Sequence, residues 1–382
     1  MVMLPAPVGR SMEVSPMKRA GGKPQVVLAG FFGRGNCGDE ALLQAQYERL
    51  SPDYDLVISV DERGGYDGFW NWYPYDRCRI VHQGNLAVLA EDDVIGIHVG
   101  GGGLPHGFGA AQVVHARSLG KPAFLTGVDA RPASTPGAAA ALEAYLGLFD
   151  FVSVRSAAAW QTMQTMVPAC HHGADWALAL VTDGPADDVS SGAALVTIRE
   201  FPEDLISSRY REDLARVVGT LADRYEEVVL LPFCPEDERF LERLRPVSGL
   251  RREIHWWNPR RMQRVIADAA LVVSLGRLHP LVFAANVGTP AIFAEPLAGD
   301  SRWPACTKAR QMAAEHGWPV AESLAALASR LRCPDGREIP AAGFCSDYQG
   351  RWGSMAHGLA AGLAAERGKK ILDRVVDAEK AA

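Results

Sequence analysis

Short apolar runs of β-type residues alternate with helical patterns along most of the chain, and this alternation constrains the fold more than any other feature. β-type runs occupy residues 25–32, 94–99 and 151–154, and a helical pattern at residues 39–50 follows the first of them. Strands separated by helices pair in parallel, because each helix returns the chain to the starting end of the sheet. The pattern therefore predicts an α/β protein with doubly wound, Rossmann-like parallel sheets.

A polar segment at residues 182–191, TDGPADDVSS, interrupts this pattern and is typical of a linker between domains. The alternation then resumes, and 382 residues are enough for two domains of ordinary size. Two such domains usually face each other across a cleft, with ligands at the carboxyl ends of the strands. We predict a disordered leader at residues 1–24, followed by an N-terminal α/β domain at 25–182. A linker at 183–191 leads to a C-terminal α/β domain at 192–350 and a C-terminal helix at 351–382.

Composition excludes several classes of protein. With 39 basic and 45 acidic residues, the formal net charge is −6, whereas nucleic-acid binders need clustered Lys and Arg. No apolar run reaches the ~18–20 residues of a transmembrane segment. The seven cysteines form no C-x-x-C pair, which favours reduced thiols in a cytoplasmic protein. His98 and the pair His171-His172 lack a third ligand at metal spacing, so we interpret them as structural and expect no metal site.

The segment GRGNCG at residues 33–38 follows the first strand and has the G-x-G-x-x-G spacing of a dinucleotide site. However, Asp39 and Glu40 occupy the first turn of the next helix, where their carboxylates compete with a phosphate for the helix amides. Three interpretations remain open. The segment is a tight turn, an NAD or FAD site, or a substrate-binding loop that uses Gly33, Asn36 and Asp39.

Four consecutive glycines at residues 100–103 follow the buried strand at 94–99. Glycine lets the backbone adopt positive φ or approach a ligand closely. After a core strand this favours a turn on the ligand side, so Gly101 and Gly102 are candidate substrate contacts.

The segment LVVSLGRLHP at residues 271–280 combines a buried strand, a glycine turn and a proline that favours the first position of a helix. Arg277 and His279 therefore lie at a strand's carboxyl end and a helix N-terminus, an arrangement that suits a phosphate or carboxylate. The imidazole titrates near neutral pH, as a general acid or base requires. A capping histidine beside a solvated arginine is the structural alternative.

Two further basic residues stand at positions that favour a ligand. Arg155 directly follows the strand at 151–154, where it can pair with an anion or form a surface salt bridge. Lys308 opens a helical pattern, although lysine normally favours helix C-termini. Its position therefore indicates a role outside helix stability.

Aromatic residues concentrate in one short segment and in the pair Trp256-Trp257. The segment is either a platform for sugar rings or an ordinary packed loop. The tryptophan pair either lines the cleft or fills the core between the domains. The aromatic residues of the segment are Tyr66, Phe69, Trp70, Trp72, Tyr73 and Tyr75.

Seven segments, in order along most of the chain, resemble the polysaccharide pyruvyl transferase family. Each is short, but the ordered set is specific. They are GFFGRGNCGDEALL (30–43), IHVGGGGL (97–104), FVSVRS (151–156), GADWAL (173–178), LLPFCPEDE (230–238), SLGRLHPLVFAANVGTP (274–290) and TKARQMAAEHGWP (307–319).

The resemblance implies a fold similar to the two-domain GT-B glycosyltransferases. It also implies transfer of a pyruvyl group from phosphoenolpyruvate to sugar hydroxyls, which makes a pyruvate ketal on a cell-surface glycan or exopolysaccharide or its precursor. Phosphoenolpyruvate is then the donor substrate, with no further cofactor and no metal. Arg155, Arg277 and His279 match family positions of the donor site, and Lys308 matches a basic residue of the family.

Under this resemblance, His279 is the expected acid or base, and the three cations hold the donor's anionic groups. Asn36 and Asp39 are better suited to shaping the first loop or meeting acceptor hydroxyls. Two features depart from the family pattern. Ser156 stands where the family often has an acidic residue, and the stretch between residues 292 and 308 is longer than usual.

Three functional classes remain at this point: a pyruvyl transferase, a nucleotide-sugar glycosyltransferase of the same architecture and a non-catalytic binding protein. The glycosyltransferase needs a ribose-binding carboxylate, for which Glu295 is the nearest candidate. The acceptor sugar or glycan is free, nucleotide-linked or lipid-linked. A lipid-linked acceptor places this cytoplasmic protein at the inner membrane face, with the helical pattern at residues 355–378 as its one candidate contact.

Overall fold

A computed structural model describes residues 22–61, 68–104, 109–130, 135–180, 192–244, 250–297, 302, 306–332 and 346–381. The predicted leader up to residue 21 and the predicted linker at residues 183–191 lie outside the described residues. Among the described helices, none combines the length and apolarity needed to cross a membrane.

The first half of the chain forms a parallel sheet whose central strands are buried on both faces. Its strand order is β3-β2-β1-β4-β6-β7-β8, and β5 pairs with β6. Strand β1 pairs in parallel with two neighbours, so that Val27 lies beside Val57 and Ile97. The strands are β1 (Gln25–Ala29), β2 (Asp55–Val60), β3 (Arg79–His82), β4 (Val94–Gly100), β5 (Gly103–Leu104), β6 (Ala123–Ala130), β7 (Phe151–Val154) and β8 (His171–His172).

Local capping explains where several helices of this half begin. Asn36 accepts a hydrogen bond from the amide of Gly38, Thr135 from that of Ala138, and Ser156 from that of Ala159. Side chains of this kind satisfy first-turn amides that have no partner inside a helix. The helices are α1 (Cys37–Leu50), α2 (Ala110–Ser118), α3 (Pro136–Leu146) and α4 (Ala157–Gln164).

The second half forms another parallel sheet, with the strand order β11-β10-β9-β12-β13-β14. These two doubly wound sheets confirm the predicted α/β fold class. The strands are β9 (Ala193–Ile198), β10 (Glu227–Leu230), β11 (Arg251–Arg252), β12 (Leu271–Leu275), β13 (Ala291–Ala294) and β14 (Val320–Ala321). The helices are α5 (Ser208–Ala222), α6 (Pro235–Leu244), α7 (Pro259–Asp268), α8 (His279–Val287), α9 (Thr307–Glu315), α10 (Leu324–Arg332) and α11 (Ser346–Ala381).

The long helix α11 returns to the first sheet and contacts β4, β6 and β7. It begins at Ser346, five residues before the predicted start of the C-terminal helix. Its buried face presents Met355, Leu359 and Leu363. A Cβ on Gly358 would lie only 2.4 Å from the ring of Phe151, so this glycine permits close packing of helix and sheet.

The two halves share one apolar core, which contains Leu42 and Phe69 of the first half and Phe233 and Trp256 of the second. Polar contacts reinforce it. The Cys37 amide donates to the Phe233 carbonyl at 2.8 Å. Burial of each such apolar side chain stabilises the folded protein by roughly 1.5–3 kcal/mol relative to its exposure. The shared core therefore holds the two sheets in a defined position relative to each other.

Candidate functional site

Loops at the carboxyl ends of the two sheets enclose a cavity of about 350 Å³. It coincides with the points where each strand order reverses, between β1 and β4 and between β9 and β12. Chains that leave the two strands at such a point turn to opposite faces of the sheet and open a crevice. The loops after these four strands supply Phe31, Gly102, Arg199 and Arg277 to the lining.

Arg155 is a buried cation beside this cavity. It follows β7 and is 6% exposed, which excludes the surface salt bridge that the sequence left open. Its Nη1 donates to Asp175 Oδ2 at 2.8 Å, and its Nη2 lies 3.8 Å from Asp129 Oδ2. Burial lowers the pKa of Arg155, but Asp175 and Asp129 outweigh burial and raise it. The guanidinium therefore stays charged and fixed in place.

His279 begins α8 and lies in the cavity wall, with 13% of its side chain exposed. Its Nε2 lies 3.9 Å from Asp175 Oδ2 and has no hydrogen-bond partner among the described residues. Burial lowers the pKa of His279 to about 4; Asp175 opposes this shift, while Arg155, Arg277 and Lys308 add to it. The imidazole is therefore uncharged at neutral pH and able to accept a proton.

Asp39, in the first turn of α1, lines the same cavity. Burial raises its pKa to about 7, an effect that Arg155 opposes and Asp175 reinforces. Asp39 is thus partly protonated at neutral pH, while His279 is uncharged. Two groups that line one cavity and have pKa values shifted in opposite directions can act as an acid and a base.

Arg277 and Lys308 are also held by carboxylates, and Lys308 shares Asp129 with Arg155. Arg277 Nη2 donates to the Asp237 carboxylate and to Cys234 Sγ. Lys308 Nζ lies 3.6 Å from Asp129 Oδ2. These ion pairs keep both cations at the cavity.

The helices α8 and α9 both begin at this cavity. Neither N-cap side chain, that of Leu278 or that of Cys306, accepts a hydrogen bond from a first-turn amide among the described residues. The positive end of each helix dipole favours an anion at the cavity. Within the described lining, four cations accompany a single carboxylate, that of Asp39. The cations are Arg155, Arg199, Arg277 and Lys308.

In the glycine-rich turn at residues 33–38, a carboxylate of the following helix accepts hydrogen bonds from the backbone amides. Glu40 Oε1 accepts the amides of Gly33, Arg34 and Gly35 at 3.0, 3.2 and 3.2 Å. The Tyr75 hydroxyl donates to the other carboxylate oxygen. Burial raises the pKa of Glu40 to about 7, and these hydrogen bonds oppose the shift. A side-chain carboxylate thus occupies the amides that a dinucleotide site needs for pyrophosphate, which argues against NAD or FAD.

The structure brings together most of the site residues predicted from the sequence. Asn36, by contrast, caps α1, and Gly33 packs against Phe69. Gly101 has a φ of 76° and packs against Leu42. None of Gly33, Asn36 and Gly101 is in the described lining. The residues that line the cavity are Asp39, Gly102, Arg155, Arg277, His279 and Lys308.

Sequence reasoning missed several functional candidates. Arg199 directly follows β9 and lines the cavity. This is the strand-end signal that identified Arg155, so the sequence could have shown it. Asp129 and Asp175 anchor the cations but lie far from them in the chain, and only Asp175 stands in a family-like segment.

Three other histidines, those interpreted as structural from the sequence, contact neighbouring side chains. His98 Nε2 lies 2.6 Å from Thr126 Oγ1 inside the first sheet. His171 stacks on Phe151, and His172 stacks on Trp160. These contacts agree with the structural interpretation of all three.

Solved structures with similar folds include a protein of Listeria monocytogenes assigned as a UDP-N-acetylglucosamine 2-epimerase, at 12% identity and a TM-score of 0.60, with 91% of this chain and 97% of that chain covered. The calicheamicin glycosyltransferase CalG4 has 12% identity and a TM-score of 0.52, with 90% and 98% covered. The UDP-GlcNAc 2-epimerase of Neisseria meningitidis has 11% identity and a TM-score of 0.55, with 89% and 100% covered. This likeness shows the fold, which is the expected GT-B arrangement.

No curated protein matches the sequence. A family model, by contrast, matches residues 36–295, which is more than half of the chain and includes Asp39, Arg155, Arg277 and His279. Lys308 lies beyond the matched residues. The match and the predicted resemblance agree, and the chain belongs to the polysaccharide pyruvyl transferase family.

Proposed function

We propose that the chain transfers a pyruvyl group from phosphoenolpyruvate to two hydroxyls of a sugar or glycan and so forms a pyruvate ketal. The observation that carries this proposal is the cavity in which four cations and two helix N-termini surround one imidazole, that of His279. Phosphoenolpyruvate carries a carboxylate and a phosphate, so its site needs several positive groups. Membership of the family supports the same reaction.

The reaction moves two protons and one phosphate. Protonation of the donor's methylene carbon makes a methyl group and leaves a cation at the central carbon, which the first hydroxyl attacks. The bond from that carbon to the phosphate oxygen then breaks, and the second hydroxyl attacks the new cation. Of the two hydroxyl protons, one replaces the proton given to the methyl group and the other leaves with the phosphate.

In this proposal Arg155, Arg277 and Lys308 hold the donor's anionic groups. The same three cations lower the pKa of His279 in the free protein. A bound trianion offsets their charge and raises that pKa, because an anion favours the protonated imidazole. His279 can then protonate the methylene carbon.

Calorimetric titration is expected to show phosphoenolpyruvate binding with net proton uptake between pH 7 and 8. The donor's phosphate, with a second pKa of about 6, is then already ionised. The complex binds more protons than its free components, because the bound anion raises the pKa of both His279 and Asp39. Affinity therefore falls as pH rises. Titrations in two buffers of different ionisation enthalpy measure the uptake.

The variants His279→Asn and Asp39→Asn should each remove part of the uptake. Arg209→Ala is the control, since Arg209 is an exposed arginine on α5, and this variant should retain both binding and uptake. Binding of UDP- or GDP-sugars in place of phosphoenolpyruvate would contradict the proposal. Donor binding without proton uptake would remove the assigned proton roles.

A nucleotide-sugar glycosyltransferase is the alternative, favoured by the fold of the similar structures. It needs a carboxylate available to a ribose. Glu295 is buried, its carboxylate accepts the Cys306 amide at 3.2 Å, and it lies 3.8 Å from Arg310. These internal contacts occupy the nearest candidate and count against this alternative.

Replacing Gly38 with alanine is expected to lower turnover by about 100-fold while the fold persists. A Cβ on Gly38 would lie 1.8 Å from His279 Nδ1, so the imidazole must move. Displacement of a catalytic group by about 1 Å costs on the order of 10²-fold. Gly219→Ala is the matched control, because Gly219 also lies in a helix and no described atom outside the helix backbone is within 4 Å of its added Cβ. If the two variants turned over at the same rate, the position of His279 would not matter for the reaction, and its catalytic assignment would be wrong.

A further inference from the structure

Exposed aromatic rings lie at the junction of the two domains. The described residues include five exposed large apolar side chains, and three of these are Trp70, Tyr73 and Trp257, at 38%, 43% and 38% exposed. Trp70 and Tyr73 lie between β2 and β3, and Trp257 lies just before α7. We call these three side chains the aromatic ledge.

Ring contacts join the two parts of the ledge across the domains. Trp72, beside Tyr73, contacts Trp256 with ring centroids 5.6 Å apart and an interplanar angle of 73°. Trp256 contacts Trp257 at 5.2 Å and 89°. In such edge-to-face pairs, at least one face of each ring lies outside the pair. The rings of the ledge are therefore anchored by packed neighbours and keep more than a third of their surface exposed.

The glycine-rich turn connects the cavity wall with Phe69 and Trp256, the residues that precede Trp70 and Trp257 of the ledge in the chain. A Cβ on Gly33 would lie 3.4 Å from the ring of Phe69, and one on Gly35 would lie 2.8 Å from the ring of Trp256. Gly33 is two residues from Phe31, which lines the cavity. At standard backbone dimensions their Cα atoms are at most about 7 Å apart.

The size of the cavity favours a surface of this kind for a polymeric substrate. About 350 Å³ is at the small end for a ligand pocket, a size that suits the donor and one reacting sugar. Further units of a glycan would extend beyond such a pocket. An exposed apolar patch rimmed by polar groups marks a binding surface, and the exposed amides Asn71 and Asn258 adjoin the ledge in the chain.

The charges around the ledge favour a neutral partner. Arg77 pairs with Asp76 at 3.1 Å, and Arg260 pairs with Glu48 at 2.7 Å. Anionic lipids and nucleic acids need uncompensated Lys and Arg. Planar rings with paired charges instead suit sugar rings, which are neutral and have an apolar face.

We propose that the aromatic ledge binds the sugar units that adjoin the unit receiving the pyruvyl group. The enzyme then selects a glycan chain over a free or nucleotide-linked monosaccharide. This inference rests on the proposed function, because it assigns the ledge to the acceptor of that reaction.

The test measures binding of size-separated oligosaccharides without turnover. The probe is partially hydrolysed, depyruvylated envelope polysaccharide from cells that produce the protein, from monosaccharides to hexasaccharides. Affinity should rise with length from one to three or four units. A variant with Trp70, Tyr73 and Trp257 all changed to alanine should lose this length dependence, at about tenfold in affinity for each ring that a sugar contacts.

The control variant changes Val114 and Leu119 to alanine, since these side chains are also apolar and exposed but lie at α2. It should bind every size like the unchanged protein. Both variants should bind phosphoenolpyruvate with unchanged affinity, which shows that they are folded. Failure of the unchanged protein to bind phosphoenolpyruvate would overturn the proposed function.

Normal phosphoenolpyruvate binding with no length dependence, or with length dependence that survives in the ledge variant, would overturn the ledge alone. Sedimentation gives one further outcome. If the unchanged protein dimerises and only the ledge variant is monomeric, with no loss of oligosaccharide binding, the ledge is a contact between two copies of the chain and the proposal is wrong.

Discussion

Replacing His279 with alanine is expected to lower turnover by about 10²–10⁴-fold, the usual contribution of a positioned general acid or base. The imidazole lies 3.9 Å from Asp175 and has no hydrogen-bond partner among the described residues. The proposed reaction uses this nitrogen to protonate the donor's methylene carbon. Turnover is measured as phosphate released from phosphoenolpyruvate, with depyruvylated envelope polysaccharide as acceptor.

The His279→Ala variant should remain folded and still bind phosphoenolpyruvate, because Arg155, Arg277 and Lys308 stay in place. His357→Ala is the matched control, since His357 is an exposed histidine on α11, and it should keep full turnover. Substantial turnover by a folded His279→Ala variant would remove the catalytic assignment. Loss of donor binding instead would make His279 a binding residue.

Replacing Arg155 with alanine is expected to affect both stability and donor binding. It would leave Asp175 and Asp129 buried without the guanidinium that pairs with them. Breaking a buried ion pair from one side costs about 3–5 kcal/mol of unfolding free energy. The proposed donor also loses one of its cations, so its affinity should fall by at least about tenfold.

Denaturant titration and calorimetry measure these two effects separately. Arg155→Lys keeps the charge but not the paired guanidinium geometry, so it should recover part of the stability. Arg209→Ala, at an exposed position, should change neither quantity. An unchanged unfolding free energy for Arg155→Ala would show that Asp175 and Asp129 do not need this arginine to remain buried in the folded protein.

The prediction of the elements succeeded where the signal is local. The period of apolar residues predicted strands that alternate with helices, and so parallel sheets, because this period can be seen in neighbouring residues. The same local logic placed Arg155 and Arg277 at strand ends. It missed the anchoring carboxylates Asp129 and Asp175, because nothing near them in the chain indicates which cation they face.

The glycine-rich turn shows how a local pattern can suit two different sites. Its G-x-G-x-x-G spacing is compatible with a dinucleotide, and its acidic first turn is not. Glu40 decides between them by accepting three amides of the turn, together with the hydroxyl of Tyr75 from a distant loop. The sequence also left two interpretations of the aromatic segment, a platform for sugar rings and a packed loop. In the structure, Phe69 and Tyr75 are buried, while Trp70 and Tyr73 are exposed.

The order of residue types along the chain predicts the alternation of strands and helices, the two sheets and the residues at the strand ends. Packing of the domains determines which charged side chains meet and how far the pKa values of the site shift. The pKa of His279 falls to about 4 and that of Asp39 rises to about 7, in both cases chiefly through burial. Burial depends on packing between two domains, and so on contacts between residues more than a hundred positions apart. Local patterns carry no record of such contacts.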